Sequence, residues 1–276
     1  MRRVTPMHLG ISSYTYPWAV GVPGHRPARP LTVWDLLERA AALRVRCLQV
    51  ADNLPVDRLP EAAQRKLREQ AGQQGVSLEV GTRGIGTEHL RSYLRLAATL
   101  GAPLLRVVVD TPDHRPEPDG VVALLGAILP VAAEAGITIA IENHDRFRVG
   151  TLAAIVRRLD SPYVGICLDT ANSLGALEGP EAVVRALAPL TVNLHLKDFV
   201  IRRQPHQLGF TVEGRPAGQG QLDIPWLLRE VRAAGREPNA ILELWTPPAA
   251  TLEETVRTEE VWAQESITYL RELLTV

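Results

Sequence analysis

The chain contains only two cysteines, Cys47 and Cys167, in 276 residues. Each lies in a short apolar run typical of a buried strand, so we expect free buried thiols and no disulfide. This excludes a small secreted scaffold held together by disulfides and favours a reducing compartment. The N-terminal residues MRRVTPMHLGISS lack the apolar stretch of roughly 7 to 15 residues that a secretory signal needs, so a cytoplasmic protein is expected.

A surplus of charge of one sign is also absent. The chain has 30 basic and 31 acidic residues, which gives a formal net charge of -1. This balance argues against an electrostatic surface for nucleic acid or for an anionic membrane. No apolar run reaches the roughly 18 residues that a membrane-spanning helix needs. The expected partners therefore include neither nucleic acid nor a membrane.

The sequence also lacks a Gly-x-Gly-x-x-Gly motif after its first predicted strand, which argues against a dinucleotide-binding fold. Instead, short apolar runs alternate with amphipathic helical stretches along the whole chain. The runs predicted to be strands are residues 7–12, 45–50, 76–80, 103–109, 137–141, 163–168, 191–196 and 240–244. Eight such units favour a closed barrel over an open sheet, so we predict a single (β/α)8 TIM barrel domain spanning residues 1–276.

Glycines stand at the ends of several predicted helices, just before the next strand. In this place a glycine is typical of a left-handed helix C-cap, which predicts short connections there. These glycines are Gly75, Gly101, Gly136 and Gly235. Two stretches after strands are much longer, residues 13–30 and 199–222. We expect both to be active-site loops, because the loops after the strands carry the functional residues of a TIM barrel.

The fifth to the eighth predicted strands each end in a residue that can bind a metal. The residues are Glu142, Asp169, His195 and Glu243, in the runs ITIAIE, VGICLD, TVNLHL and AILE. Because the strand ends of a parallel barrel converge on one face, we expect these side chains to meet there. Carboxylates with a neutral imidazole suit one divalent ion, Mn²⁺, Mg²⁺, Co²⁺ or Zn²⁺. Such a cation would also offset the repulsion among three crowded carboxylates.

The segments IENHDRF, CLDTAN, HLKD, GRPAGQGQLDIPWLL and ILELW resemble the xylose-isomerase-like TIM barrel superfamily. This superfamily includes sugar phosphate isomerases and epimerases, ketose 3-epimerases, inosose dehydratases, dehydroshikimate dehydratases and endonuclease IV. The resemblance implies that Glu142, Asp169, His195 and Glu243 bind one divalent ion. In the epimerase branch, Glu142 and Glu243 would also be catalytic, exchanging protons with opposite faces of the substrate carbon. The additional histidines of endonuclease IV are missing after the second and third strands, which argues against a nuclease.

A hard cation on such ligands stabilises an enediolate formed next to a substrate carbonyl. We therefore predict a metal-dependent enzyme acting on a small ketose or sugar acid, and the resemblance favours isomerase or epimerase chemistry. One alternative is a lyase: a decarboxylase of a 3-oxo sugar acid such as 3-oxo-isoapionate, or an inosose- or dehydroshikimate-type dehydratase. The other is a non-catalytic sugar-binding barrel. The resemblance also makes a homodimer or homotetramer the candidate assembly.

Three basic residues are candidates for binding an anionic group of the substrate. Lys197 follows His195 by two residues, so strand alternation places it on the same side, near the barrel mouth. There it is predicted to hold a substrate oxygen and so to take part in catalysis, with a structural ion pair as the alternative. Arg83 and Arg215, after the third and seventh strands, are further candidates, each with a solvated loop charge as the alternative.

Polar and aromatic residues complete the predicted substrate pocket. His144 is interpreted either as a partner that orients Glu142 or as a group that bonds locally within its loop. Asn172 stands where many relatives have a histidine, and is predicted to hydrogen-bond a substrate hydroxyl. Aromatic side chains are predicted either to form an apolar wall that excludes water or to pack a lid or subunit interface. They are Tyr14, Tyr16, Trp18 and Trp245.

Overall fold

The computed structural model describes residues 7–274, and within them parallel strands close into an eight-stranded barrel. The barrel strands are β1 (Leu9–Ser12), β2 (Cys47–Val50), β3 (Ser77–Arg83), β4 (Leu104–Val108), β5 (Thr138–Glu142), β6 (Val164–Asp169), β7 (Thr191–Leu196) and β10 (Asn239–Leu242). Strands that follow each other along the chain pair side by side, and β10 closes the barrel between β7 and β1. The prediction of a (β/α)8 TIM barrel is therefore confirmed.

Helices surround the barrel. They are α1 (Pro17–Val20), α2 (Val33–Ala42), α3 (Glu61–Gln73), α4 (Thr87–Leu100), α5 (Pro118–Ala135), α6 (Val149–Leu159), α7 (Pro180–Leu187), α8 (Ile224–Ala233) and α9 (Leu252–Leu274). The single turn α1 lies in the first long loop, whereas α2 to α9 each follow a barrel strand. Their apolar faces bury side chains such as Leu36, Leu67 and Leu125 against the strands, which forms the main hydrophobic core.

The glycines predicted to end helices adopt the left-handed conformation. Gly75 and Gly136 have φ of 67°, Gly101 has 68° and Gly235 has 73°. A residue with a Cβ rarely adopts these angles, so glycine allows each helix to end sharply and the chain to enter the next strand.

The predicted loop over residues 199–222 contains an antiparallel hairpin. β8 (Asp198–Arg203) pairs with β9 (Phe210–Arg215), and Asp198 lies opposite Arg215 at the base. Apolar side chains near the tip are open to solvent: Leu208 is 76% exposed and Phe210 is 62% exposed. The hairpin is therefore buried at its base and projects into solvent at its tip.

α5 is an exception to the expectation that no segment is long and apolar enough to span a membrane. Its 18 residues have a mean hydropathy of 1.5, which meets that criterion by length and composition alone. In the structure α5 packs between α4 and α6 and against β5. Val121, Leu125 and Ile128 are fully buried there, so one face of α5 packs against the barrel.

Candidate metal centre

Glu142, Asp169, His195 and Glu243 lie together at the carboxyl ends of β5, β6, β7 and β10. Glu142 and Asp169 are the last residues of their strands, and Glu243 follows the last residue of β10. Asp169 lies directly opposite His195 in the β6–β7 register. His195 lies opposite Ile241, so strand alternation puts Glu243 on the same face as His195. All four metal-binding candidates are buried, and the barrel brings them to one place.

The imidazole of His195 is at the centre of this cluster. Its Nδ1 atom lies 3.3 Å from Oε1 of Glu243 and 3.4 Å from Oε2 of Glu142. The same atom lies 3.8 Å from Oδ2 of Asp169. One potential ligand atom from each of Asp169, His195 and Glu243 falls within 4.8 Å of the other two. This spacing fits donor atoms that surround a single cation.

One nitrogen of the cluster, Nδ1 of His195, is buried without a hydrogen-bond partner among residues 7–274. Buried polar atoms nearly always have a partner, so an unpaired ring nitrogen that faces three carboxylates indicates a ligand-binding position. The other ring nitrogen of His195, Nε2, lies 2.9 Å from Oε1 of Gln49. An imidazole nitrogen together with hard carboxylate oxygens fits a divalent metal ion.

The ammonium group of Lys197 lies beside two of the carboxylates. Its Nζ is 2.7 Å from Oδ2 of Asp169 and 2.8 Å from Oε2 of Glu243. Burial by itself would lower the pKa of Lys197, but the charges of Asp169 and Glu243 raise it above its usual value. Lys197 is therefore charged and forms an ion pair with these carboxylates at the mouth of the barrel.

A second buried cation, Arg106 of β4, was not identified from the sequence. Its Nε donates to Oε2 of Glu142, and its Nη1 lies 3.2 Å from Oδ1 of Asp52. Burial by itself would raise the pKa of Glu142, but the charge of Arg106 holds it well below its usual value. The signal in the sequence was an arginine inside the apolar run PLLRVVV, because a buried arginine needs an acidic partner.

Asn172 bonds to two members of the cluster and to Lys197. Its side-chain Nδ2 donates to Oε1 of Glu142 over 2.7 Å, and its backbone N–H donates to Oδ1 of Asp169 over 2.8 Å. Its Oδ1 accepts a hydrogen bond of 3.4 Å from Lys197. Asn172 thus orients two carboxylates, a role that the sequence did not predict for it.

Tyr14, Arg83 and Trp245 line the rim of the same site. The Tyr14 hydroxyl donates to Oδ2 of Asp52 over 3.3 Å. The same carboxylate oxygen lies 3.7 Å from Nε of Arg83. The indole ring of Trp245 faces Lys197, with Nζ 5.7 Å from the ring centroid. These three predicted pocket residues are therefore brought to the mouth of the barrel.

The other predicted pocket residues have local partners. Nδ1 of His144 pairs with the carboxylate of Asp145 at 2.7 Å, and Arg215 bonds to Glu213 within the hairpin. The orienting role predicted for His144 thus falls to the groups on Glu142 described above. Two aromatic residues pack within the first loop. Tyr16 is fully buried beneath the guanidinium of Arg39, and the Trp18 indole donates to the carbonyl of Thr246.

Asp198 fixes the base of the hairpin beside Lys197. Its carboxylate accepts the backbone N–H groups of Gly218 and Gly220, each over 2.9 Å, and that of Leu222 over 3.1 Å. A Cβ added to Gly220 would lie 2.0 Å from Oδ1 of Asp198, so only glycine allows this approach. The segment GQG therefore acts as a cradle for a carboxylate that holds the seventh loop in place.

The sequence matches the model of a known family. The family model described as a xylose isomerase-like TIM barrel matches residues 37–273. The chain belongs to the xylose isomerase-like TIM barrel family. The resemblance inferred from the sequence motifs is thereby confirmed.

Relatives in and around this family include both lyases and epimerases. A 3-oxo-isoapionate decarboxylase of Pectobacterium atrosepticum is 37% identical over 264 residues, which cover 96% of this chain and 95% of the relative. A D-psicose 3-epimerase from Clostridium cellulolyticum H10, solved with D-tagatose, has a TM-score of 0.74 at 14% identity, covering 97% of this chain and 99% of that chain.

A xylose isomerase-like TIM barrel protein from Mycobacterium smegmatis, solved in complex with magnesium, has a TM-score of 0.67. It is 15% identical, and the match covers 95% of this chain and 97% of that chain. At these identities the solved structures establish the shared fold alone.

Proposed function

We propose that this protein is a metal-dependent decarboxylase of a small 3-oxo sugar acid. The observation that carries the proposal is the 37% identity to a 3-oxo-isoapionate decarboxylase over 96% of this chain. The cluster of Asp169, His195 and Glu243 provides the ligand atoms that such chemistry needs. The lyase alternative from the sequence therefore takes precedence over the isomerase or epimerase reaction.

The proposed reaction places definite demands on the site. Loss of carbon dioxide from a 3-oxo acid breaks the bond between C1 and C2, and the bonding electrons move to the 3-oxo group to give an enolate. A proton then replaces carbon dioxide at C2, which yields a ketose one carbon shorter. A divalent ion held by Glu142, Asp169, His195 and Glu243 would supply the Lewis acid that makes the oxo group a better electron acceptor.

The protein's own groups bind and orient the substrate. Lys197, already charged, is placed to hold an anionic substrate oxygen through a charge-assisted hydrogen bond. The indole face of Trp245 lies over Lys197 and helps to hold its ammonium group in place through a cation–π contact. Arg83 at the rim adds positive charge that draws an anionic substrate towards the mouth.

The surroundings of Glu142 support decarboxylation over epimerisation. Its Oε2 accepts from Arg106, and its Oε1 accepts from Asn172. An epimerase that uses glutamates on both faces needs each one to take and return a proton at the substrate carbon. A carboxylate that is held at both oxygens is better suited to binding a cation than to moving a proton.

Epimerisation is the second candidate, because both glutamates of the proposed proton exchange are present. Glu142 and Glu243 each place an oxygen within 3.4 Å of Nδ1 of His195. A ketose bound at this point would lie close to both carboxylates. This candidate is the one that the sequence motifs favoured.

The test is a direct assay of the purified protein with Mn²⁺. A 3-oxo sugar acid of the isoapionate type and a set of ketoses are incubated separately in deuterated water, and ¹³C NMR follows carbon dioxide and epimers. We expect release of carbon dioxide that is abolished by EDTA and by Asp169→Asn. Epimer formation with deuterium uptake and no carbon dioxide release would reject the decarboxylase proposal and support the epimerase. Ligand binding without turnover of either compound class would indicate a sugar-binding barrel.

A further inference from the structure

One layer deeper in the barrel lies a buried carboxylate that the proposed reaction does not use. Glu79 of β3 is 2% exposed. Its Oε2 accepts from Nε2 of Gln49 over 3.0 Å and from Nδ2 of Asn193 over 2.8 Å. Its Oε1 accepts from Nδ2 of Asn239 over 2.7 Å. Each of these three partners is a neutral amide group. A buried carboxylate without a cation is costly, so its presence requires a reason.

Glu79 fixes the orientation of the Gln49 amide. A carboxylate only accepts hydrogen bonds, so the NH₂ group of Gln49 has to face it. The same NH₂ group donates to Oδ1 of Asn193 over 3.1 Å, which engages its second hydrogen. The carbonyl oxygen of Gln49 is therefore directed to the opposite side, where it lies 2.9 Å from Nε2 of His195.

The Gln49 carbonyl in turn selects the proton position on His195. Because this oxygen only accepts, the ring donates from Nε2 and keeps a lone pair on Nδ1. Nδ1 is the atom that faces the carboxylates of Glu142, Asp169 and Glu243. A reversed Gln49 amide would present N–H to Nε2, and the ring proton would then occupy Nδ1, where a cation has to bind.

We propose that Glu79 is a positioning residue of the metal centre: through the Gln49 amide it holds His195 in the tautomer whose Nδ1 can bind a divalent cation. The proposal rests on the metal dependence within the proposed function and is independent of the reaction catalysed. Glu79 acts from two hydrogen bonds away. Its buried charge is explained because only a group that cannot donate forces the Gln49 amide into a single orientation.

The first test measures the affinity for Mn²⁺ alone, from the electron paramagnetic resonance signal of the free ion. Glu79→Gln keeps the size of the side chain but adds N–H donors, so the Gln49 amide loses its fixed orientation. We expect the affinity to fall about 10-fold or more, as for other residues that support a metal-binding histidine. The control Asn239→Ser removes a different donor to Glu79 and should stay within about 3-fold of the wild type.

The exchange variant Gln49→Glu/Glu79→Gln separates positioning from a general loss of packing. It keeps the net charge and the number of side-chain atoms, and it returns an acceptor-only group to Nε2 of His195. We expect it to recover Mn²⁺ affinity to within about 3-fold of the wild type. A folded exchange variant that binds Mn²⁺ no better than Glu79→Gln would overturn the proposal.

A second measurement reports the tautomer directly. In the zinc-loaded wild type with ¹⁵N-labelled histidine, NMR should show the His195 proton on Nε2 and the metal on Nδ1. In Glu79→Gln the Nε2–H signal should exchange faster with water. A wild-type proton on Nδ1, or unchanged Mn²⁺ affinity in folded Glu79→Gln, would refute the positioning role. None of these measurements depends on release of carbon dioxide, so the positioning role of Glu79 is tested independently of the proposed reaction.

Discussion

The ammonium group of Lys197 lies 2.7 Å from Oδ2 of Asp169. This ion pair places the single positive charge of Lys197 next to a carboxylate that we propose as a metal ligand. Lys197 and a bound divalent ion repel each other, while both attract an anionic substrate oxygen. Lys197 is therefore the residue at which metal binding and catalysis can be separated.

Lys197→Met should impair turnover without weakening metal binding. Carbon dioxide release should fall about 100-fold, because a charge-assisted bond to the reacting substrate is lost. Mn²⁺ affinity should stay equal or rise, since one repulsive charge is removed. Steady-state kinetics and equilibrium dialysis measure the two effects. The exposed Arg229→Met is the control and should change neither; a parallel loss of activity and affinity in Lys197→Met would contradict the assigned role.

Arg106→Met should destabilise the fold in the presence of EDTA. The buried ion pair between Arg106 and Glu142 leaves an uncompensated carboxylate when the arginine is removed. The expected loss is about 3 to 5 kcal/mol in the free energy of unfolding, measured by urea denaturation. Arg65→Met removes an exposed pair with Glu61 and should cost less than about 1 kcal/mol. Equal losses of unfolding free energy in the two variants would show that the buried Arg106 pair stabilises the fold no more than an exposed pair does.

Divalent metal should stabilise the wild type through Asp169. At a Mn²⁺ concentration about 100 times the dissociation constant, binding to the folded state adds about 2.7 kcal/mol of stability. The thermal midpoint should therefore rise with Mn²⁺ in the wild type and in the exposed control Asp113→Asn. Asp169→Asn should lose most of this increase. An undiminished increase would show that the ion binds outside the cluster.

Glu259 of α9 should make the protein less stable as pH rises. Its carboxylate is fully buried and accepts the N–H groups of Trp18 over 2.8 Å and Ala19 over 2.9 Å. Burial raises its pKa from 4.5 to about 8, with Arg39 and Glu260 as the charged neighbours. The folded state therefore holds a proton that the unfolded state releases. The stability that this group contributes is complete below pH 4.5 and is lost as pH rises towards 8.

The variant Glu259→Gln isolates this effect. Between pH 5.5 and pH 8.5, the wild type should lose roughly 2 to 4 kcal/mol more unfolding free energy than the variant. Urea denaturation at the two pH values measures the difference. Glu253→Gln, an exposed carboxylate on the same helix, should keep the wild-type pH dependence. Parallel pH curves for the wild type and Glu259→Gln would show that Glu259 is ionised throughout.

The barrel strands and the metal-ligand candidates were predictable because both depend on local pattern. Short apolar runs bounded by glycines predict buried strands, and a ligand-type residue at a strand end needs only the parallel arrangement to reach the common face. Glu142 and Asp169 are such cases. The pairing of these carboxylates with Arg106 and Lys197 follows from the same face once the barrel is closed.

The network around Glu79 could not be predicted in the same way. Gln49, Glu79 and Asn193 are polar residues with an apolar neighbour on each side, which a pattern registers as an interruption. The partner of each lies across the barrel: Gln49 and His195 are 146 positions apart in the chain. Which side chains meet depends on barrel closure and register, and neither is encoded in any short segment. The hairpin was missed because β8 and β9 are largely exposed and lack the continuous apolar runs by which the barrel strands were recognised.

The hairpin enters and leaves the barrel at one point, where Asp198 lies opposite Arg215 and gathers the returning backbone N–H groups. Residues between these anchors make no strand of the barrel itself. We therefore expect insertions, deletions or altered side chains at the tip to leave the proposed metal centre undisturbed. Evolution can therefore alter the selectivity for entering molecules by changing the hairpin alone, while the residues of the proposed metal centre stay the same.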